Sequence, residues 1–91
     1  MNYEVKLTTG AQRDAVKWKK SNPHLYKKFL KVVDELMKHP RLGTGHPEPL
    51  IGGHEIRWSR HLSAHDRIIY DIYDDVVIVL VIKIGGHYDD K

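Results

Sequence analysis

The chain contains no cysteine, which excludes both disulfides and a thiolate metal site; that suits a reducing compartment. Phe and Trp are few, one and two beside five Tyr, and a scarcity of exposed stacking aromatics counts against a general RNA-binding module. Long apolar runs are missing: the longest, 76–82, has seven residues, where a bilayer-spanning helix needs about 20. The opening M-N-Y-E-V-K lacks the apolar stretch of a signal peptide. The expectation is a soluble, cytoplasmic protein without membrane contact. Charge of one sign is not in large excess either. Fifteen Lys and Arg against twelve Asp and Glu give +3, too small a bias to name nucleic acid as the partner. No repeat, low-complexity segment or linker interrupts the sequence, so residues 1–91 are expected to form one domain. A chain of this length buries only about 60–65% of its unfolded surface, and its core is modest.

Seven His remain to be weighed as metal ligands. His61 and His65 are four apart, but they flank a turn between strands rather than sharing a helix face. H-E-x-x-H does not occur. No metal and no other cofactor is expected.

What is present reads as a sequence of short elements. Tyr3, Val5 and Leu7 alternate with Glu4, Lys6 and Thr8, the period of a half-buried strand. Thr9 followed by Gln12 has the spacing of a capping box and predicts a helix over 10–20, with Ala11, Ala15 and Trp18 on one face. Asn22-Pro23 suits a cap and first helical position, opening a helix that Pro40 stops. Leu25, Phe29, Val32, Val33 and Leu36 form its core stripe. So short a link makes the two helices a hairpin. Residues 40–53, with three Pro and four Gly, read as a loop. Strands are predicted over 55–62, 67–73 and 76–84. In the first, Ile56, Trp58 and Leu62 share a side that Arg60 interrupts, which marks a strand end or a bulge. The last is apolar throughout, as a central strand buried on both faces would be. The order β-α-α-β-β-β gives an α+β domain, an antiparallel-dominated sheet with the helical hairpin on one face.

The stretch 43–73 concentrates the chemistry. Glu48 is its loop's only carboxylate and lies between Pro47 and Pro49, which restrict the backbone around it. A surface acid in a turn and a functional acid both fit that position. Arg57, Arg60, His61 and Arg67 follow. G-T-G-H-P-E-P-L at 43–50, W-S-R at 58–60, D-R-I-I-Y at 66–70 and H-Y at 87–88 together resemble, in order and spacing, the YoeB/Txe type of RelE-superfamily toxins. These are small ribonucleases of bacterial toxin–antitoxin pairs.

The resemblance implies a RelE-like fold and cleavage of mRNA in the ribosomal A site, leaving a 2′,3′-cyclic phosphate and a 5′-OH. It implies an active site of Glu48, Arg67, His87 and Tyr88. The residue types suit those roles. A carboxylate can take the 2′ proton, Arg67 can fork onto phosphoryl oxygens, and His87 can protonate the leaving oxygen. Tyr88 can stack on a base, and Arg60 and His61 are expected to help bind RNA. The implied partners are mRNA on the 30S A site and an acidic antitoxin of the Phd/YefM type; a symmetric dimer is common among relatives. Two departures remove positive charge: His61 replaces the second Arg of W-S-R-R, and Ile51 stands where Lys is frequent. Asp89 and Asp90 add negative charge beside His87. The competing reading is a non-catalytic inhibitor on the same scaffold that binds a protein such as DNA gyrase, as ParE-type relatives do.

Overall fold

In the computed structural model, which describes residues 2–50, 52 and 56–86, Thr8 turns the chain from strand β1 (Glu4–Leu7) into helix α1 (Thr9–Ser21). Its Oγ1 accepts from the Ala11 N–H at 3.1 Å and donates to the Ile82 carbonyl at 3.0 Å. The cap is therefore Thr8, one residue before the expected Thr9: Thr8 is still extended, at φ −64° and ψ 163°. Gln12 does reach back, donating to the Leu7 carbonyl. Asn22 joins the helices as expected. Its N–H bonds the Trp18 carbonyl, and its Oδ1 accepts from Leu25 at the start of α2 (Pro23–Lys38).

Four more strands follow: β2 (Glu48–Pro49), β3 (Arg57–His61), β4 (Arg67–Tyr73) and β5 (Ile78–Gly85). They pair in the order β1-β5-β4-β3-β2. All contacts are antiparallel except β1 with β5, which the two-helix crossover makes parallel. The α+β reading holds, with one strand more than expected. Glu48–Pro49 pairs with Ser59 and Trp58 although 40–53 read as pure loop. Pro49 is tolerated because β2 is an edge.

Both helices cover one face. Ala11, Ala15, Leu25, Phe29, Val32 and Leu36 pack there on Ile68, Tyr70, Ile72, Val79, Val81 and Ile84. With helices on one side only, β5 is not buried on both faces. Val79, Val81 and Ile84 are buried, Ile78, Leu80 and Ile82 half-buried, and Lys83 exposed. The bulge lies here and not at Arg60: Ile69 faces Lys83 but Tyr70 faces Val81. Ile82 is the extra residue. It shifts the alternation by one, so that Val81 and Ile84 both reach the core face.

Candidate active site

Directly opposed residues of paired strands point to the same side of a sheet, and successive residues to opposite sides. Ile68 and Tyr70 pack on the helices, so Arg67 and Ile69 face away from them. Register carries this across the sheet. Glu48 is opposite Ser59, Ser59 opposite Ile69, and Ile69 opposite Lys83. In the neighbouring row His61 is opposite Arg67. Glu48, His61, Arg67 and Lys83 thus share the helix-free face. Glu48 and Arg67 are two strand spacings apart and two residues offset, about 12 Å between Cα atoms by standard sheet spacings.

Electrostatics single out Arg67. Asp71, opposite Arg57 and buried, accepts two bonds from that guanidinium, at 2.8 and 3.0 Å. Asp66 accepts from the Ser63 hydroxyl at 2.8 Å. Asp74 is held by Arg41 and the Tyr3 hydroxyl, whose hydrogen bonds lower its pKa. Among the described residues Arg67 has no ion-pair partner. Glu48 is exposed. His61, the last residue of β3, also borders a cavity of about 120 Å³ that lies against α2 and is lined by Lys28, Lys31, Val32, Thr44 and Leu62. His87, Tyr88 and Ile51 lie outside the described residues.

Arg60 is not where a substrate ligand would be. It shares the helix side with Trp58 and is 1% exposed. Its Nε donates to the Tyr70 hydroxyl at 3.1 Å, Nη1 to Glu35 Oε1 at 2.9 Å and the Thr44 carbonyl at 3.3 Å. Nη2 donates to the Pro40 and Leu42 carbonyls at 3.0 and 3.1 Å. The expectation that Arg60 touches RNA is therefore replaced: its donors are spent inside the protein. Glu35, unremarked in the sequence, is its counter-ion and also accepts from the Thr44 N–H and hydroxyl, both at 2.8 Å. Burial alone would raise the Glu35 pKa; the Thr44 hydrogen bonds and the charges of Arg60 and Lys31 outweigh it and leave the carboxyl below its ordinary value. The polar residue on an apolar stripe was the available signal for Arg60; Glu35, beside the α2 stripe, offered none.

Among the described residues no helix is long and apolar enough to cross a membrane, and no three His, Asp or Glu gather as a metal site would require.

A helical hairpin on one face of such a sheet is the fold of solved YoeB and RelE toxins. The structure called YoeB/ParE toxin from Agrobacterium tumefaciens superposes with a TM-score of 0.85 at 26% identity, covering 93% of this chain and 99% of that one. The YoeB–YefM complex of Staphylococcus aureus has a toxin of the same fold, with a TM-score of 0.80 at 19% identity over 97% of this chain and 100% of that one. Toxin RelK of Mycobacterium tuberculosis is 30% identical over 84 residues, 92% of this chain and 96% of RelK. Residues 7–88 match the family described as YoeB-like toxin of bacterial type II toxin-antitoxin system. The chain belongs to that family and is a toxin of a type II toxin–antitoxin system of the YoeB/RelE type.

Proposed function

We propose that this toxin is an endoribonuclease that cuts mRNA in the ribosomal A site without a metal ion. The RNA supplies its own nucleophile. The 2′ oxygen bonds to the adjacent phosphorus, Glu48 takes the 2′ proton, and the bond from phosphorus to the 5′ oxygen breaks. His87 gives its proton to that oxygen, leaving a 2′,3′-cyclic phosphate and a 5′-OH. Arg67 holds the phosphoryl oxygens as charge builds on them. Tyr88 stacks on a neighbouring base, and His61, opposite Arg67, adds a contact to the backbone.

The observation that carries this reading is that Glu48 shares the helix-free face with Arg67, which has no ion-pair partner among the described residues, while the nearby Asp66 and Asp71 are engaged by Ser63 and Arg57. The natural inhibitor is an acidic antitoxin of the YefM type; the staphylococcal relative forms a complex with YefM, and the chain's +3 suits an acidic partner.

The test is growth after induction of wild type and the Glu48→Gln, Arg67→Ala and His87→Gln variants, with mRNA 5′ ends mapped and cleavage rates measured on programmed ribosomes. Each change to Glu48 or His87 should slow cleavage about 100-fold or more. Arrest that survives all three changes without new mRNA ends would refute the nuclease and leave the gyrase-type inhibitor.

A further inference from the structure

We propose that Arg60 and Glu35 are positioning residues. They form a buried clamp that sets the proline loop and so aims Glu48 at the phosphate held by Arg67. This rests on the reading of Glu48 as the base.

A guanidinium carries five N–H donors in a fixed plane, and all five of Arg60's have an acceptor: the Tyr70 hydroxyl, the Glu35 carboxylate and three carbonyls. Those carbonyls belong to Pro40, Leu42 and Thr44, alternate residues of the segment leading to Glu48. Tyr70 returns a bond from its hydroxyl to the Pro40 carbonyl at 3.1 Å. Glu35 holds Thr44 from the other side by two bonds.

The loop is shaped to this clamp. Gly43, at φ +123°, lies against the Glu35 carboxylate where a Cβ would collide, and Gly45, at φ +88°, lies as tightly against the His61 carbonyl. The backbone on either side of Arg60 continues the hold. The His61 N–H donates to the Gly45 carbonyl at 2.7 Å, and Ser59 pairs with Glu48. Three consecutive residues of β3 thus grip the loop from 40 to 48, one by its side chain beneath the sheet and two by their backbone at its edge. Only His46 and Pro47 separate Gly45 from Glu48, whose own backbone pairs with Ser59.

Stability is a poor reason for such a device. Buried ion pairs are often matched or bettered by apolar residues of similar volume. What five fixed bonds supply is direction, and a general base displaced by about 1 Å can lose about 100-fold in rate.

The experiment is a double-mutant cycle. Arg60→Lys and Thr44→Val are each made in wild-type and Glu48→Gln backgrounds. Folding is checked by circular dichroism, and kcat and KM are measured on mRNA-programmed ribosomes. Lys offers three donors from one point and cannot span the five acceptors. Arg60→Lys should lower kcat about 10- to 100-fold with KM little changed. Thr44→Val removes one bond at an exposed loop position and should lower kcat about 2- to 10-fold. In the Glu48→Gln background neither change should cost more, because there is no base left to aim.

Equal losses in both backgrounds, or a folded Arg60→Lys with wild-type kcat, would overturn the clamp while Glu48 keeps its role. Wild-type cleavage by Glu48→Gln alone would instead refute the base. Should Arg60→Lys not fold, the Thr44→Val cycle decides by the same criterion.

Discussion

Removing Glu35 tests the clamp as a physical object, independent of catalysis. The Arg60–Glu35 pair is 2.9 Å long, with the two side chains 0% and 16% exposed. Deleting one partner of a buried pair typically costs about 3–5 kcal/mol, because the other charge is left uncompensated. Arg60 would keep four acceptors, and Glu35 is not fully enclosed. The expected loss for Glu35→Ala is therefore at the low end, about 3 kcal/mol. Against a total stability of about 5–13 kcal/mol for a chain this long, that is a large fraction, and it corresponds to a Tm lowered by about 12–24 °C.

The measurement is urea unfolding of purified protein in a Glu48→Gln background, followed by the fluorescence of Trp18 and Trp58, with the slope m unchanged. The pH dependence supplies a second check. The Glu35 pKa is lower folded than its ordinary value of 4.5. Its contribution is therefore complete above pH 4.5 and lost as pH falls through the folded value. The stability difference between the parent and Glu35→Gln should shrink over that interval and stay flat above it. A Glu35→Ala loss below about 1 kcal/mol, the level of a surface pair, would refute the reasoning.

Three further outcomes are expected. Asn22→Ala removes the cap of α2 at its junction with α1 and should cost about 1 kcal/mol in the same unfolding assay. Phe29→Ala should cost about 3–5 kcal/mol, because the ring is 3% exposed and its centroid lies 6.4 Å from that of Trp18 and 6.3 Å from that of Tyr26. His61→Arg places a permanent charge opposite Arg67. Binding of a single-stranded RNA by the Glu48→Gln protein should tighten, and the log–log salt slope should steepen by about 0.7, the value for one added phosphate contact; an unchanged slope would remove His61 from the RNA path.

Local patterns were readable where one face of an element decides its residues. The stripe from Leu25 to Leu36 and the alternation of Ile68, Tyr70 and Ile72 both face the core as their spacing says. Patterns failed where a distant contact decides. An apolar run such as 76–82 carries no sign of which face the helices leave open, and the extra residue Ile82 is visible only once β5 is laid against β4. Glu48–Pro49 is too short for any periodicity to mark, and it is a strand only because Ser59 and Trp58 are beside it. Thr8 caps instead of Thr9 because its backbone is still extended, while its hydroxyl also reaches Ile82, far along the chain.

The site follows the same division. Glu48 and Arg67 could be proposed from residue type and resemblance, but that Asp71 is taken by Arg57 is a fact of register. Arg60 shows how far alternation alone could have gone. In W-S-R-H, residues 58 and 60 share one face and 59 and 61 the other. With Trp58 packed toward the helices, Arg60 must point there too, and an arginine so directed must find acceptors inside. His61 is then the basic residue of the motif left on the helix-free side. The position at which this chain departs from the W-S-R-R pattern is thus the one on the helix-free face, while the arginine it retains holds the loop. On the function proposed above, a change from Arg to His there alters how RNA is gripped without disturbing how Glu48 is aimed.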